Sequence, residues 1–137
     1  MTLDGTFLDL ARRAVDAGVA FATERDLRMT LVVMDITGTI CAVARMDRSR
    51  PITYAIAVAK ANTARVFEAS TADLAGRVKP ENKIAIGQLG TDIAFLGGGL
   101  PLWDEGVVVG AIGASGASED EDIACAACAL RATGMAG

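Results

Sequence analysis

The stretch TLVVMDITGTICAVARM, residues 30–46, decides the class of fold. Residues 30–36 and 39–46 are short runs rich in β-branched side chains, with only Thr37-Gly38 between them. Two such runs about a glycine-bearing turn read as a β-hairpin. The same reading applies near the other end of the chain. Residues 100–103, the Asp104-Glu105-Gly106 step and residues 107–114 predict a second hairpin. Hairpins join antiparallel strands, so the remainder of the chain must pack on an antiparallel sheet.

Outward from the hairpins the period changes from two to that of helices. Leu3, Phe7, Leu10, Ala14 and Phe21 form one apolar stripe, with Arg12, Arg13, Asp16 and Glu24 off it, so a helix is expected over residues 3–24. Pro51 marks a helix start. Residues 52–68 are alanine-rich and apolar on more than one face, which predicts a well-buried helix. Ser70 and Asp73 are spaced to cap a short helix near residues 71–78. Residues 79–99, with Pro80 and several glycines, read as loop with one short helix or strand. Ser118 and Glu121 form a capping box for a last helix, and Glu119, Asp120, Glu121 and Asp122 suit its first turn. Helix, hairpin, helices, hairpin, helix describes an α+β domain.

The 137 residues suit one domain spanning 1–137. With 52% hydrophobic but only 4% aromatic residues, small aliphatic side chains must fill the core. A formal charge of −4 and the lack of a basic stripe exclude a nucleic-acid binder. Apolar stretches are broken well short of a membrane span, and MTLDGTF lacks a secretory pattern. Three cysteines give no disulfide framework, and a cytoplasmic protein is expected.

Three blocks carry a resemblance: VVMDITGTICAVARMD (32–47), AKANTARVF (59–67) and GGGLPLWDEGVVVGAIGASGASEDED (97–122). Together, and in order, they resemble the haem-degrading/GlcG-like family, which includes the C-terminal domain of certain corrinoid adenosyltransferases. The resemblance implies a profilin-like three-layer α/β/α arrangement around a five-stranded antiparallel sheet, assembled into homo-oligomers. It implies haem as a cofactor or ligand for some members. Others are associated with corrinoid metabolism, glycolate utilisation or lyases acting on small aromatic acids. Where many relatives follow Arg-Met-Asp with Gly-Ala, this chain has Arg48-Ser49-Arg50.

Histidine is absent, which removes His-ligated haem, His-based metal sites and His-dependent nucleophiles. No metal site is expected. Cys125 and Cys128 form a CxxC inside a helix rather than at its N-terminus, so they read as buried inert thiols. GAIGASGAS (110–118) lacks the spacing of a phosphate loop. GGGLP, with Gly98, Gly99 and Pro101, is a candidate wall of a ligand site or else a tight strand entry. Arg45, Met46 and Asp47 at a strand end are candidate ligand-binding residues, and Met29 and Met34 read as core. Lys60, among apolar neighbours, must snorkel or find an anion, for example Asp35 or Asp120.

Two functions follow, with an accessory assembly subunit as a third. The first is a small-ligand-binding protein for a planar tetrapyrrole or similar anionic aromatic molecule. The second is a cofactor-free lyase or isomerase on a small aromatic or oxidised metabolite. There Arg45 and Lys60 would clamp the substrate, and Asp35, Asp120 or Glu121 would move the proton.

Overall fold

A computed structural model of the chain describes residues 6–90 and 92–135. In order it contains α1 (Phe7–Glu24), β1 (Thr30–Asp35), β2 (Ile40–Arg45), α2 (Ile52–Phe67), α3 (Thr71–Arg77), α4 (Pro80–Gly87), β3 (Gly99–Asp104), β4 (Val107–Ser115) and α5 (Glu119–Thr133). Both expected hairpins are present. In the first, the Asp35 carboxylate accepts from the Thr37 and Thr39 backbone N–H groups and holds the turn. In the second, Glu105 and Gly106 both have positive φ, 50° and 82°, as the two central residues of a type I′ hairpin turn require.

The sheet is antiparallel throughout, in the order β2-β1-β4-β3. Side chains alternate between its faces. Leu31, Val33, Ile112 and Ala114 face a core shared with α1 and α5. Met34 and Ala111 face Ala61 and Ala64 of α2 on the other side. Central β1 is therefore buried on both faces, which is why its sequence is apolar without alternation. The low aromatic content has its counterpart here: at Gly113 a Cβ would meet the Ala57 carbonyl, so glycine on β4 lets α2 lie directly on the sheet.

Two expectations need correction. The sheet has four strands among the described residues, against the five expected. The intervening segment forms α4 and then an irregular run whose backbone groups are taken by α2 side chains. Ala94 N–H donates to Thr63 Oγ1 (2.8 Å), and Asn62 Nδ2 donates to the Asp92 carbonyl (2.9 Å). Polar groups committed to a helix cannot also form a ladder. The first helix begins at Phe7, because Thr6 and Asp9 form a capping box; Leu3 lies outside the described residues. The α+β class itself stands.

One end of this sheet gathers the polar chemistry. Thr30, the first residue of β1, is paired with Arg45 on one side and Ser115 on the other. Gly99 opens β3 beside Gly113, at the same end.

Candidate functional site

A cleft of about 620 Å³ lies along edge strand β2 and is lined by Val19, Arg28, Ala44, Arg45, Met46, Asp47 and Arg48. The strand end and the following turn bring the expected triplet Arg45-Met46-Asp47 into one wall. Arg45 Nη2 donates to the Ser49 carbonyl at 2.8 Å, which fixes one side of its guanidinium. Met46 packs against the α1/α5 core, and its sulfur accepts from the Met29 N–H at 3.4 Å. Arg28 pairs with Asp26 at 3.2 Å across an exposed loop. Arg48 has no hydrogen bond or ion pair among the described residues. It stands at φ +71°, a left-handed conformation that the Cβ of any residue but glycine makes unfavourable. Sequence reading singled out the Arg48-Ser49-Arg50 departure but did not place Arg48 in the site. A positive φ at that position explains why glycine suits it.

Lys60 behaves differently. It is 2% exposed and donates to Asp122 Oδ2 at 2.9 Å and to the Ala114 carbonyl at 3.0 Å. The Asp122 Oδ1 accepts from the Ala117 N–H at 2.9 Å. Lys60 reaches from α2 round the end of the sheet to α5, so the pair joins the two helical layers. Burial raises the Asp122 carboxyl pKa above its ordinary value, and the hydrogen bonds from Lys60 and Ala117 oppose that rise. The anionic partner expected for Lys60 was Asp35 or Asp120; it is Asp122. A signal existed. Asp122, Cys125, Ala126, Ala129 and Thr133 fall on the buried stripe of α5, whereas the acidic run alone suggested only helix capping.

The other predicted residues are dispersed. Asp35 pairs with Gly110, four residues along β4 from Ala114, so it lies at the opposite end of the sheet from Lys60. A hydrogen bond from the Thr37 hydroxyl, at 2.6 Å, is the main cause of its lowered pKa. Glu121 completes the Ser118 capping box, and Asp120 is exposed on the first turn of α5. The structure therefore does not bring Lys60 together with Asp35, and Lys60 is not bonded to Asp120 or Glu121. Gly98 and Gly99 are buried against Lys60. At Gly98, φ is +123° and a Cβ would lie 3.0 Å from Lys60 Nζ. Gly99 N–H donates to Thr71 Oγ1 at 2.8 Å. Pro101 is buried opposite Ala111 within the sheet.

None of the three thiols lines the cleft along β2. Cys125 and Cys128 donate to the Gly18 and Ala17 carbonyls of α1, and burial pushes the Cys125 thiol up to about 12. Among the described residues no group of three or more Cys, Asp or Glu side chains is placed to hold a metal ion, and no helix is long and apolar enough to cross a membrane.

A four-stranded antiparallel sheet between α1/α5 and α2, with its charged clefts at one end, defines a small α+β domain of a known class. Residues 7–131 match the family described as haem degrading protein HbpS-like, and the chain belongs to that family. It is 31% identical over 125 residues to an uncharacterised 15.0 kDa protein of the dhaT-dhaS intergenic region of Citrobacter freundii, covering 90% of this chain and 88% of that one. It is 29% identical over 118 residues to the corrinoid adenosyltransferase PduO of Citrobacter freundii, covering 85% of this chain. The match spans only 35% of the adenosyltransferase. Among solved structures, the fold is similar to that of a PduOC:heme complex, with a TM-score of 0.88, 26% identity and 98% of each chain covered.

Proposed function

We propose that the chain is a binding protein for a planar, carboxylate-bearing ligand, with a tetrapyrrole of the haem type the first candidate, seated in the cleft along β2. The observation that carries this reading is the lining of that cleft: three arginines, Arg28, Arg45 and Arg48, against one carboxylate, Asp47, beside the apolar side chains of Val19, Ala44 and Met46. Guanidinium groups recognise carboxylates through paired N–H donors, and apolar side chains suit a flat ring. Family membership and the likeness to a haem complex point the same way.

Haem itself fits this lining in part. Its propionates would meet the arginines and its ring the apolar side chains. Iron would have no histidine, and Met46, whose sulfur is already engaged by Met29 N–H, is the soft ligand at hand. The residues thus favour holding the ring and its carboxylates over strong axial ligation. Arg48 strengthens the reading. A role toward a ligand accounts for a non-glycine residue kept at positive φ on a cleft wall, with no side-chain partner among the described residues.

The test is a parallel titration with haemin and metal-free protoporphyrin IX, followed by visible absorbance and fluorescence. Saturable binding of both, weakened about tenfold by Arg45→Gln, is expected if the carboxylates dominate. Absence of saturable binding for both, or binding indifferent to Arg45, would sink the proposal.

The homo-oligomer expected from the family remains part of the proposal. On one side of α2, Ile52 and Val66 are 59% and 52% exposed, and a second copy would cover them. Light scattering on the purified protein decides it, and a monomer at micromolar concentration would contradict it. A cytoplasmic setting also belongs to the proposal, supported by three free thiols.

A further inference from the structure

A second groove lies on the opposite side of Thr30 from Arg45. Its inner part, about 240 Å³, is lined by Ile56, Lys60, Leu96, Gly97, Ser115, Ala117, Glu119 and Asp122. Its outer part, about 400 Å³, shares Ile56, Ser115 and Ala117 and extends to Arg50. The two are continuous through those shared residues.

Three side chains in it have unspent hydrogen-bonding capacity. Lys60 has three N–H donors, of which the Asp122 carboxylate and the Ala114 carbonyl take two. Ser115 is 4% exposed, and its hydroxyl has no hydrogen-bond partner among the described residues, although it borders both parts of the groove. Its neighbours on the same face, Thr30 and Thr53, bond to each other at 2.8 Å instead. That hydroxyl is not sealed off and remains available to whatever occupies the groove. Arg50, at the outer end, has no ion pair among the described residues.

The charges then select the occupant. Asp122 already neutralises Lys60, so the inner end offers hydrogen-bond donors without net positive charge, and Glu119 at its wall disfavours a second full anion there. A neutral carbonyl oxygen suits that end. The free positive charge is Arg50, which suits a carboxylate. We propose that this groove is a second small-molecule site for a short oxo acid, whose carbonyl oxygen accepts from Lys60 and Ser115 and whose carboxylate is held by Arg50. This site is separate from the cleft along β2 and does not depend on what that cleft binds.

The test uses pyruvate as the probe and the full chain, labelled with ¹⁵N, in an amide chemical-shift titration up to about 20 mM, the range in which a weak small-molecule site saturates. Saturable shifts centred on Gly97, Ser115, Gly116 and Ala117, with acetate (which lacks the carbonyl) binding at least several-fold more weakly, are the expected result. Lys60 variants risk unfolding the protein, so Ser115→Ala and Arg50→Gln carry the test. Each should weaken pyruvate about tenfold or somewhat less while leaving the rest of the spectrum in place. The proposal is overturned by shifts that do not saturate, by shifts centred elsewhere, or by pyruvate binding unchanged in Ser115→Ala.

Discussion

Lys60 and the arginines of the β2 cleft are all cations at one end of one sheet, yet the fold treats them in opposite ways. Lys60 is almost wholly enclosed, paired at 2.9 Å and bonded to a backbone carbonyl. Arg45 and Arg48 are exposed; Arg45 spends one nitrogen on Ser49, and Arg48 none on the described residues. A buried charge must be satisfied by the protein itself, whereas an exposed one can remain available to a ligand. The difference separates a cation that holds α2 to α5 from cations that the fold leaves exposed and largely unengaged.

The strongest way to break this contrast is Lys60→Met. It leaves Asp122 enclosed without its cation, and removal of one partner of a buried pair costs about 3–5 kcal/mol. The sign with pH follows from the Asp122 carboxyl, already raised by burial and losing in this variant the group that lowered it. A folded-state pKa above the unfolded 3.8 means that stability falls as pH rises from 3.8 through the folded value. Urea denaturation should therefore find Lys60→Met much weaker than the native chain at neutral pH and less so in acid. Adding Asp122→Leu should recover most of the loss. Equal stability of native and Lys60→Met chains at neutral pH would refute the structural role.

The two regions were unequally legible in the sequence. The hairpins and the order of helices follow from local patterns, periods of two and 3.6 with glycine at the turns, and these survived folding because each hairpin and each helix is built from neighbours in the chain, although the β1–β4 pairing that joins the hairpins is long-range. The Arg45-Met46-Asp47 wall was legible for the same reason, being contiguous. The Lys60–Asp122 pair joins residues 62 positions apart, and no local period carries that information. Asp122 was hidden inside an acidic run that capping explained sufficiently. Arg48 was visible as a departure from a glycine, but its φ, and hence its meaning, required the backbone. The fifth strand failed for a related reason: Thr63 and Asn62 of α2 claim the segment's backbone groups, which its own residues do not reveal.

Arg48→Gly sharpens the contrast from the exposed side, with a smaller effect. Glycine adopts φ +71° without the steric cost of a Cβ, so the variant should gain about 1 kcal/mol of stability. It also removes a guanidinium from the cleft, so affinity for protoporphyrin IX should fall. Stability and binding moving in opposite directions is what a residue strained for a ligand gives. If thermal unfolding and titration show both improving, Arg48 has no binding role.

Asp35 offers the smallest effect and a third case, a charge that is neither buried nor free. It lies at the far end of the sheet, and its carboxylate is occupied by the Thr37 hydroxyl and by two backbone N–H groups of its own turn. Those bonds, led by the one from Thr37, lower its pKa below 3.8 in the folded state. A group with a depressed folded pKa gives stability that is complete above its unfolded pKa and is lost as pH falls from there through the folded value. The stability difference between the native chain and Asp35→Asn should thus be constant near neutrality and shrink as pH is lowered below 3.8. Taking the difference cancels the opposite trend that Asp122 contributes to both proteins. A difference that stays flat through the acid range would show that the turn does not depend on the ionised carboxylate, and partnering by hydrogen bonds alone would then not suffice to make a surface charge structural.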